Sequence, residues 1–195
     1  HELSIPAGGQ ATVQFRMHRH PDQHVQGAMP EILAQRKKEA DEFYEELQER
    51  VVDQEHQQIQ RQAYAGLLWS KQFYYYDVNR WLEGDPGRYQ PPQERKKGRN
   101  HSWTHLQNFD IISMPDKWEY PWFAHWDLAF QSITTATVDA DRAKRQIWQM
   151  VQPWMQHPEG QIPAYEWALN DVNPPTLAWA AYRVFQIERY RHGRE

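Results

Sequence analysis

The hydrophobic positions divide the chain into one short alternating stretch and a series of segments with helical period. Residues 3–17 carry a turn, Pro6-Ala7-Gly8-Gly9, and then alternate from Ala11 to Met17, with Val13, Phe15 and Met17 on one face. Alternation of period two predicts a strand. A lone strand cannot satisfy its own edges, so its partners are expected upstream of His1, as the remainder of a β domain. Residues 18–30 are polar and read as a linker. His18, His20 and His24 lie close together there, but the stretch offers neither a placed third ligand nor an ordered backbone, so no metal site is assigned.

Residues 31–52, with Ile32, Phe43, Leu47 and Val51 among Glu, Gln and Lys, read as a solvated helix. Asp53 is the expected N-cap of a longer helix whose apolar side runs through Ile59, Ala63, Leu67, Tyr74, Val78 and Trp81, ended by Gly84-Asp85-Pro86-Gly87. Trp69, Phe73 and Tyr76 of that helix face either the site or the core, with the core the expectation. Tyr74-Tyr75-Tyr76 cannot all face one way, so at least one ring is expected at a site or in solvent. Residues 88–116 lose the periodicity and read as a long loop, with Pro91-Pro92, Trp103 and a basic run from Arg95 to Arg99 whose charges are expected to be solvated. Three further helices are predicted: 121–138 with Pro121 near its start, 139–155 capped by Asp139, and 174–192 set by Pro174-Pro175. The predicted fold class is mainly α. Helices in series without a visible sequence repeat point to a bundle or an α/α barrel rather than a solenoid.

Composition narrows the function. A chain of 195 residues can form one domain with a sizeable core. A net charge of -4 leaves no footprint for tracking phosphates, which excludes nucleic acid as the expected partner. Cysteine is absent, so there is no disulfide, thiolate nucleophile or cysteine zinc site. No apolar run reaches the roughly 20 residues of a membrane span, and no signal peptide is read at its start, though an excised segment would have lost one. A cytoplasmic chain with neither metal nor cofactor is the expectation, although secreted proteins can also lack cysteine. The chain holds 10 Trp and 10 Tyr, and most of the tryptophans fall between Trp118 and Trp179.

These aromatics coincide with carboxylates and amides. On a continuous helix Trp122, Trp126 and Phe130 would share one face, with Phe123 and Asp127 on the adjoining one. A second stretch, residues 160–167, holds Gln161, Tyr165, Glu166 and Trp167 and leads through Asp171-Val172-Asn173 to the double proline. Either stretch alone would suit an aromatic helix core. Together they suit a sugar, which presents apolar C–H faces to rings and polar hydroxyl edges to carboxylates and amides. Trp118, Trp122, Trp126, Asp127, Gln161, Tyr165, Glu166 and Trp167 are the candidate substrate-binding residues. Lys117 and Glu119 could equally form an ion pair at the rim.

Trp126-Asp127-Leu128-Ala129-Phe130, followed about thirty residues on by Gly160-Gln161-Ile162-Pro163 and a double proline, resembles the α/α-barrel glycosidases, trehalase included. Residues 67–77, 112–122 and 161–167 resemble bacterial glycoside hydrolase family 63, in the subgroup whose catalytic domain is similar to mannosylglycerate hydrolase. The likeness covers about residues 52–188. Residues 3–17 resemble the end of the β-sandwich that such enzymes carry upstream. The resemblance implies an (α/α)6 barrel that hydrolyses a glycosidic bond with inversion, acting on α-linked glucose or a similar small saccharide. This chain would supply the first half: residues 1–17 from the upstream β domain, 18–52 a linker and linking helix, and 53–195 the partial barrel. An inverting enzyme uses an acid and a base about 6.5–9.5 Å apart. The resemblance places both downstream of Glu195 and makes Asp127 a holder of sugar hydroxyls, with Asp127 the fallback for a catalytic role. A non-enzymatic carbohydrate-binding helical module is the alternative, and a purely structural helical protein is a third.

Overall fold

The computed structural model describes residues 2–15, 17, 19, 29–114 and 117–193. The chain divides into two compact units, His1–Asp53 and Gln54–Glu195.

In the first unit the expected turn is present, closed by the Gly9 N–H donating to the Pro6 carbonyl at 2.9 Å. The strand expected within 3–17 does not form among the described residues. Alternation creates a strand edge, but a strand exists only where a neighbour accepts its backbone hydrogen bonds. His18, His20 and His24 lie outside the described residues. Helix α1 (Met29–Leu47) occupies most of the predicted solvated helix. Its exposed pairs Arg36–Glu39 at 2.7 Å and Lys38–Glu42 at 3.6 Å are spaced three and four residues apart, as a wet helix face requires.

The second unit corrects the long helix predicted from Asp53 to Trp81. Helix α2 (Gln54–Trp69) does begin directly after Asp53, but it is followed by strand β1 (Lys71–Asp77) and the short helix α3 (Val78–Glu83). The physical reason is pairing with a distant strand, on whose pleated surface the aromatic run Phe73-Tyr74-Tyr75-Tyr76 packs well. That strand is β2 (Gln107–Ser113), which lies within the stretch expected to be loop. The two strands are antiparallel with Tyr76 opposite Asn108 and Tyr74 opposite Asp110. Phe73, Tyr75, Phe109 and Ile111 form the exposed face, with Phe109 edge-on to both Phe73 and Tyr75. Tyr74, Tyr76 and Asn108 point to the other side, as period two dictates. The connection between the strands is also structured. The Asp77 side chain caps α3 by accepting from the Arg80 N–H at 3.0 Å. Gly84 ends α3 with φ 86°, and a Cβ there would lie 2.7 Å from Pro91 Cδ. The basic run forms a 3-10 turn, Gln93–Lys97. Arg95 lies over the Trp81 ring at 3.8 Å and Lys96 pairs with Glu83 at 3.0 Å, so neither charge is merely solvated.

Helices α4 (His125–Ala136), α5 (Ala140–Met150) and α6 (Thr176–His192) pack on one another. The Asp139 side chain accepts from the Arg142 N–H at 2.9 Å, the expected cap, worth about 1 kcal/mol. Pro153 opens a separate 3-10 turn, so α5 is shorter than its predicted span. α4 starts at His125 and not at Pro121, because Ala124 is extended and forms an antiparallel bridge with Tyr165. Trp122 and Phe123 therefore precede the helix. Val78, Ile112, Met114, Leu128, Ala129 and Met150 form the core. Buried Gln146 fastens β2 to α4: its Oε1 accepts from the Ser113 N–H at 3.3 Å, and its Nε2 donates to the Leu128 carbonyl and Ser132 Oγ, each at 3.0 Å. The protein is mainly helical, with one two-stranded sheet among the described residues.

Candidate functional site: a buried carboxyl beneath an indole wall

Two backbone contacts bring the aromatic segment before α4 onto the loop 157–173. Ala124 bridges Tyr165, and the His125 N–H donates to the Ala164 carbonyl at 3.0 Å. The loop is stapled elsewhere as well. Gln161 Nε2 donates to the Leu169 carbonyl at 2.7 Å, and Asn173 Nδ2 reaches the Ile162 carbonyl at 3.3 Å and His125 Nδ1 at 2.7 Å. Burial drives the His125 pKa down to about 4, against the opposing pull of the Met150 carbonyl and Asn173. The imidazole is therefore a neutral structural group at physiological pH.

On this frame the Tyr165 and Trp167 rings stack at 5.8 Å with 16° between planes. Trp122 stands edge-on to both, at 6.2 Å from Tyr165 and 5.0 Å from Trp167, and Tyr120 is edge-on to Trp122 at 5.3 Å. The Arg99 guanidinium lies 5.1 Å from the Trp167 ring centre. Glu166, between the stacked rings in sequence, is only 3% exposed. Its Oε1 accepts a hydrogen bond from the Tyr74 hydroxyl. Burial raises the Glu166 pKa to about 7, although Tyr74, backbone N–H groups of Glu166 and Phe123, and the Arg99 charge all pull it down. The Tyr74 hydroxyl is pushed far above its ordinary range, by burial first and then by the neighbouring carboxylate. Tyr74, Tyr76, Arg99, Trp122, Glu166 and Trp167 line an open pocket of about 380 Å³. That volume falls in the usual range for a small-molecule site.

Of the candidate residues, Trp122, Glu166 and Trp167 thus meet at one pocket, with Tyr165 stacked behind Trp167. Asp127 lies in the first turn of α4, half-buried, with its pKa raised by burial. Its charge contributes to raising the Tyr165 pKa, but Asp127 is not among the residues that line the pocket. The shared helical face expected for Trp122 and Trp126 is not present. Trp126 packs on Phe130, which reaches Trp179 on α6, in a row apart from the pocket lining. Trp118 is 92% exposed and does not line the pocket, and Gln161 is engaged in closing its own loop. Lys117 extends over Trp69, with its Nζ 3.4 Å from the Trp69 carbonyl. Tyr74 and Tyr76 line the pocket and Tyr75 is exposed, as expected of at least one ring of that run, whereas Arg99 is not a candidate in the sequence. The period-two signal in the tyrosine run would have pointed to the two tyrosines.

A larger open groove of about 1070 Å³ runs along α4 and α6, with Tyr64, Ile133, Tyr182 and Phe185 in its walls. No carboxylate lines it, so the chemistry favours the smaller pocket. Among the described residues no His, Asp and Glu side chains cluster as a metal site requires, and no helix is long and apolar enough to cross a membrane.

No family model matches the chain, and no solved structure does. The chain is similar to an uncharacterized protein of Saccharomyces cerevisiae, 45% identical over 206 residues covering 100% of the chain. It spans 19% of the length of that curated relative.

Proposed function

We propose that the Glu166 pocket binds a neutral saccharide, and that the chain is the substrate-holding part of a glycosidase of the family 63 type. The observation that carries this reading is a buried carboxyl with a pKa of about 7 beneath a wall of two indoles. Trp122 and Trp167 offer apolar surface for the C–H face of a sugar ring. A carboxyl half-protonated near neutrality can both accept from and donate to hydroxyls. Asp127, in the first turn of α4, is read as a holder of sugar hydroxyls, as the sequence resemblance implies. Helices α2 and α4–α6 are read as part of an (α/α)6 barrel. The acid and base of inverting hydrolysis are read as lying outside these residues, as the sequence resemblance implies.

Small α-glucosides are the substrates of choice for testing this in the full-length protein. Asp127→Asn is expected to lower turnover at least about tenfold, equivalent to about 1.4 kcal/mol, with the unfolding midpoint unchanged. Unchanged turnover with intact folding would remove Asp127 from the site. Saccharide binding without any turnover in the unaltered protein would replace the glycosidase with a carbohydrate-binding module.

A further inference from the structure

Glu166 separates two spaces. In front is the open pocket; behind it is a small cavity with apolar walls from Leu106, Phe123, Met155 and Pro163, lined also by Trp103, Asn108 and Glu166. Trp103, Asn108 and Glu166 are only 2%, 3% and 3% exposed. Trp103 Nε1, Asn108 Nδ2 and Glu166 Oε2 are fully buried and meet no hydrogen-bond partner from the protein. Leaving such a group unsatisfied costs about 1–3 kcal/mol, so three on residues that line one cavity call for a common solution. The two nitrogens are both donors and cannot satisfy each other. The cavity has room of about 10 Å³, close to what a single water requires. A water can accept from both nitrogens and donate to the carboxylate oxygen.

We propose that this cavity is a binding site for one structural water, through which Trp103 and Asn108 act as positioning residues for Glu166. The placement follows from the fold. Asn108 faces inward because it is registered opposite Tyr76 on β1, and Trp103 is set by a turn in which its N–H donates to the Asn100 carbonyl at 2.9 Å. Tyr74 holds Oε1 in front and the water holds Oε2 behind, so the carboxyl cannot rotate away from the pocket wall. The groups that titrate or carry charge around it are Tyr74 and Tyr76 on β1, Arg99 before β2, and His157, edge-on to Trp103 at 5.7 Å. Hydrogen bonds donated to a carboxylate favour its charged form, so the water opposes the effect of burial on Glu166.

The inference builds on Glu166 being the ligand-holding group, yet its test does not depend on any saccharide. A high-resolution crystal structure of the full chain is expected to show one ordered water within hydrogen-bond distance of Trp103 Nε1, Asn108 Nδ2 and Glu166 Oε2. NMR titration of the labelled Glu166 carboxyl, followed in the unaltered chain, Trp103→Phe and Asn108→Leu, is expected to show a midpoint raised by about half a pH unit or more in each variant. Trp103→Phe keeps a ring in the core, so it carries the test where Asn108→Leu fails to fold. A dry cavity, or a Glu166 midpoint unmoved in folded Trp103→Phe, would overturn the water site. Either result would leave the saccharide question standing, since that is decided by binding measurements alone.

Discussion

Between about pH 4 and pH 7 the stabilities of Glu166→Gln and His125→Asn are expected to diverge from that of the unaltered chain in opposite directions. Glu166 titrates near 4.5 when unfolded and about 7 when folded. The folded state holds its proton more tightly, so the stability that Glu166 contributes is complete below about pH 4.5 and is lost as pH rises through about 7. His125 moves the other way, from 6.5 unfolded to about 4 folded. Its contribution is complete above about pH 6.5 and is lost as pH falls through about 4. Each difference of about 2.5 pH units corresponds to roughly 3 kcal/mol, at about 1.36 kcal/mol per unit. In the unaltered chain the two slopes oppose one another across about pH 4.5–6.5. Glu166→Gln removes the loss at high pH, so it gains roughly 3 kcal/mol on the unaltered chain between pH 4 and pH 8. His125→Asn forfeits the gain at neutral pH and falls behind by a similar amount over the same range. Urea unfolding at a series of pH values reads both. Parallel curves for the two variants would show that neither group is buried as described.

Trp122→Ala is expected to weaken the fold and the pocket together. The ring is half-buried and contacts Tyr120, Tyr165 and Trp167 edge-on. Full burial would put the cost at about 3–5 kcal/mol, so a half-buried ring with three aromatic partners should cost about 2–3 kcal/mol. Saccharide affinity should fall at least about tenfold, because a wall of the pocket is lost. Trp122→Phe separates the two effects. It keeps an aromatic edge but removes the indole N–H, which is buried and has no protein partner. Most of the stability should return, whereas affinity returns only in part, because the phenyl ring offers a smaller wall to the sugar. Trp122→Ala with full saccharide affinity would show that the ring serves the core alone.

The signals that were legible in the sequence are local ones. Asp139 as a cap, Gly84 as a helix end and Pro174-Pro175 as a helix start all act within a few residues of themselves. Failures came where a distant partner decides. Residues 71–77 have apolar positions compatible with a helix, and only pairing with 107–113, thirty and more residues away, makes them a strand. The start of α4 failed for the same reason: Tyr165 holds Ala124 extended, which detaches Trp122 from the helix and turns it toward Trp167. The site followed this pattern. Glu166 and Trp167 were found from their neighbours in sequence, whereas Tyr74 and Arg99 reach the pocket only through the strand pairing and its long connection.

NMR titration of the chain with a small neutral saccharide, followed through the tryptophan indole N–H signals, tests the central claim most directly. The Trp122 and Trp167 signals should shift saturably while those of Trp118 and Trp126 stay in place, and Glu166→Gln should weaken the response at least about tenfold. A Trp122 and Trp167 pair that remains unmoved through the whole titration, in a chain shown to be folded, would contradict the account.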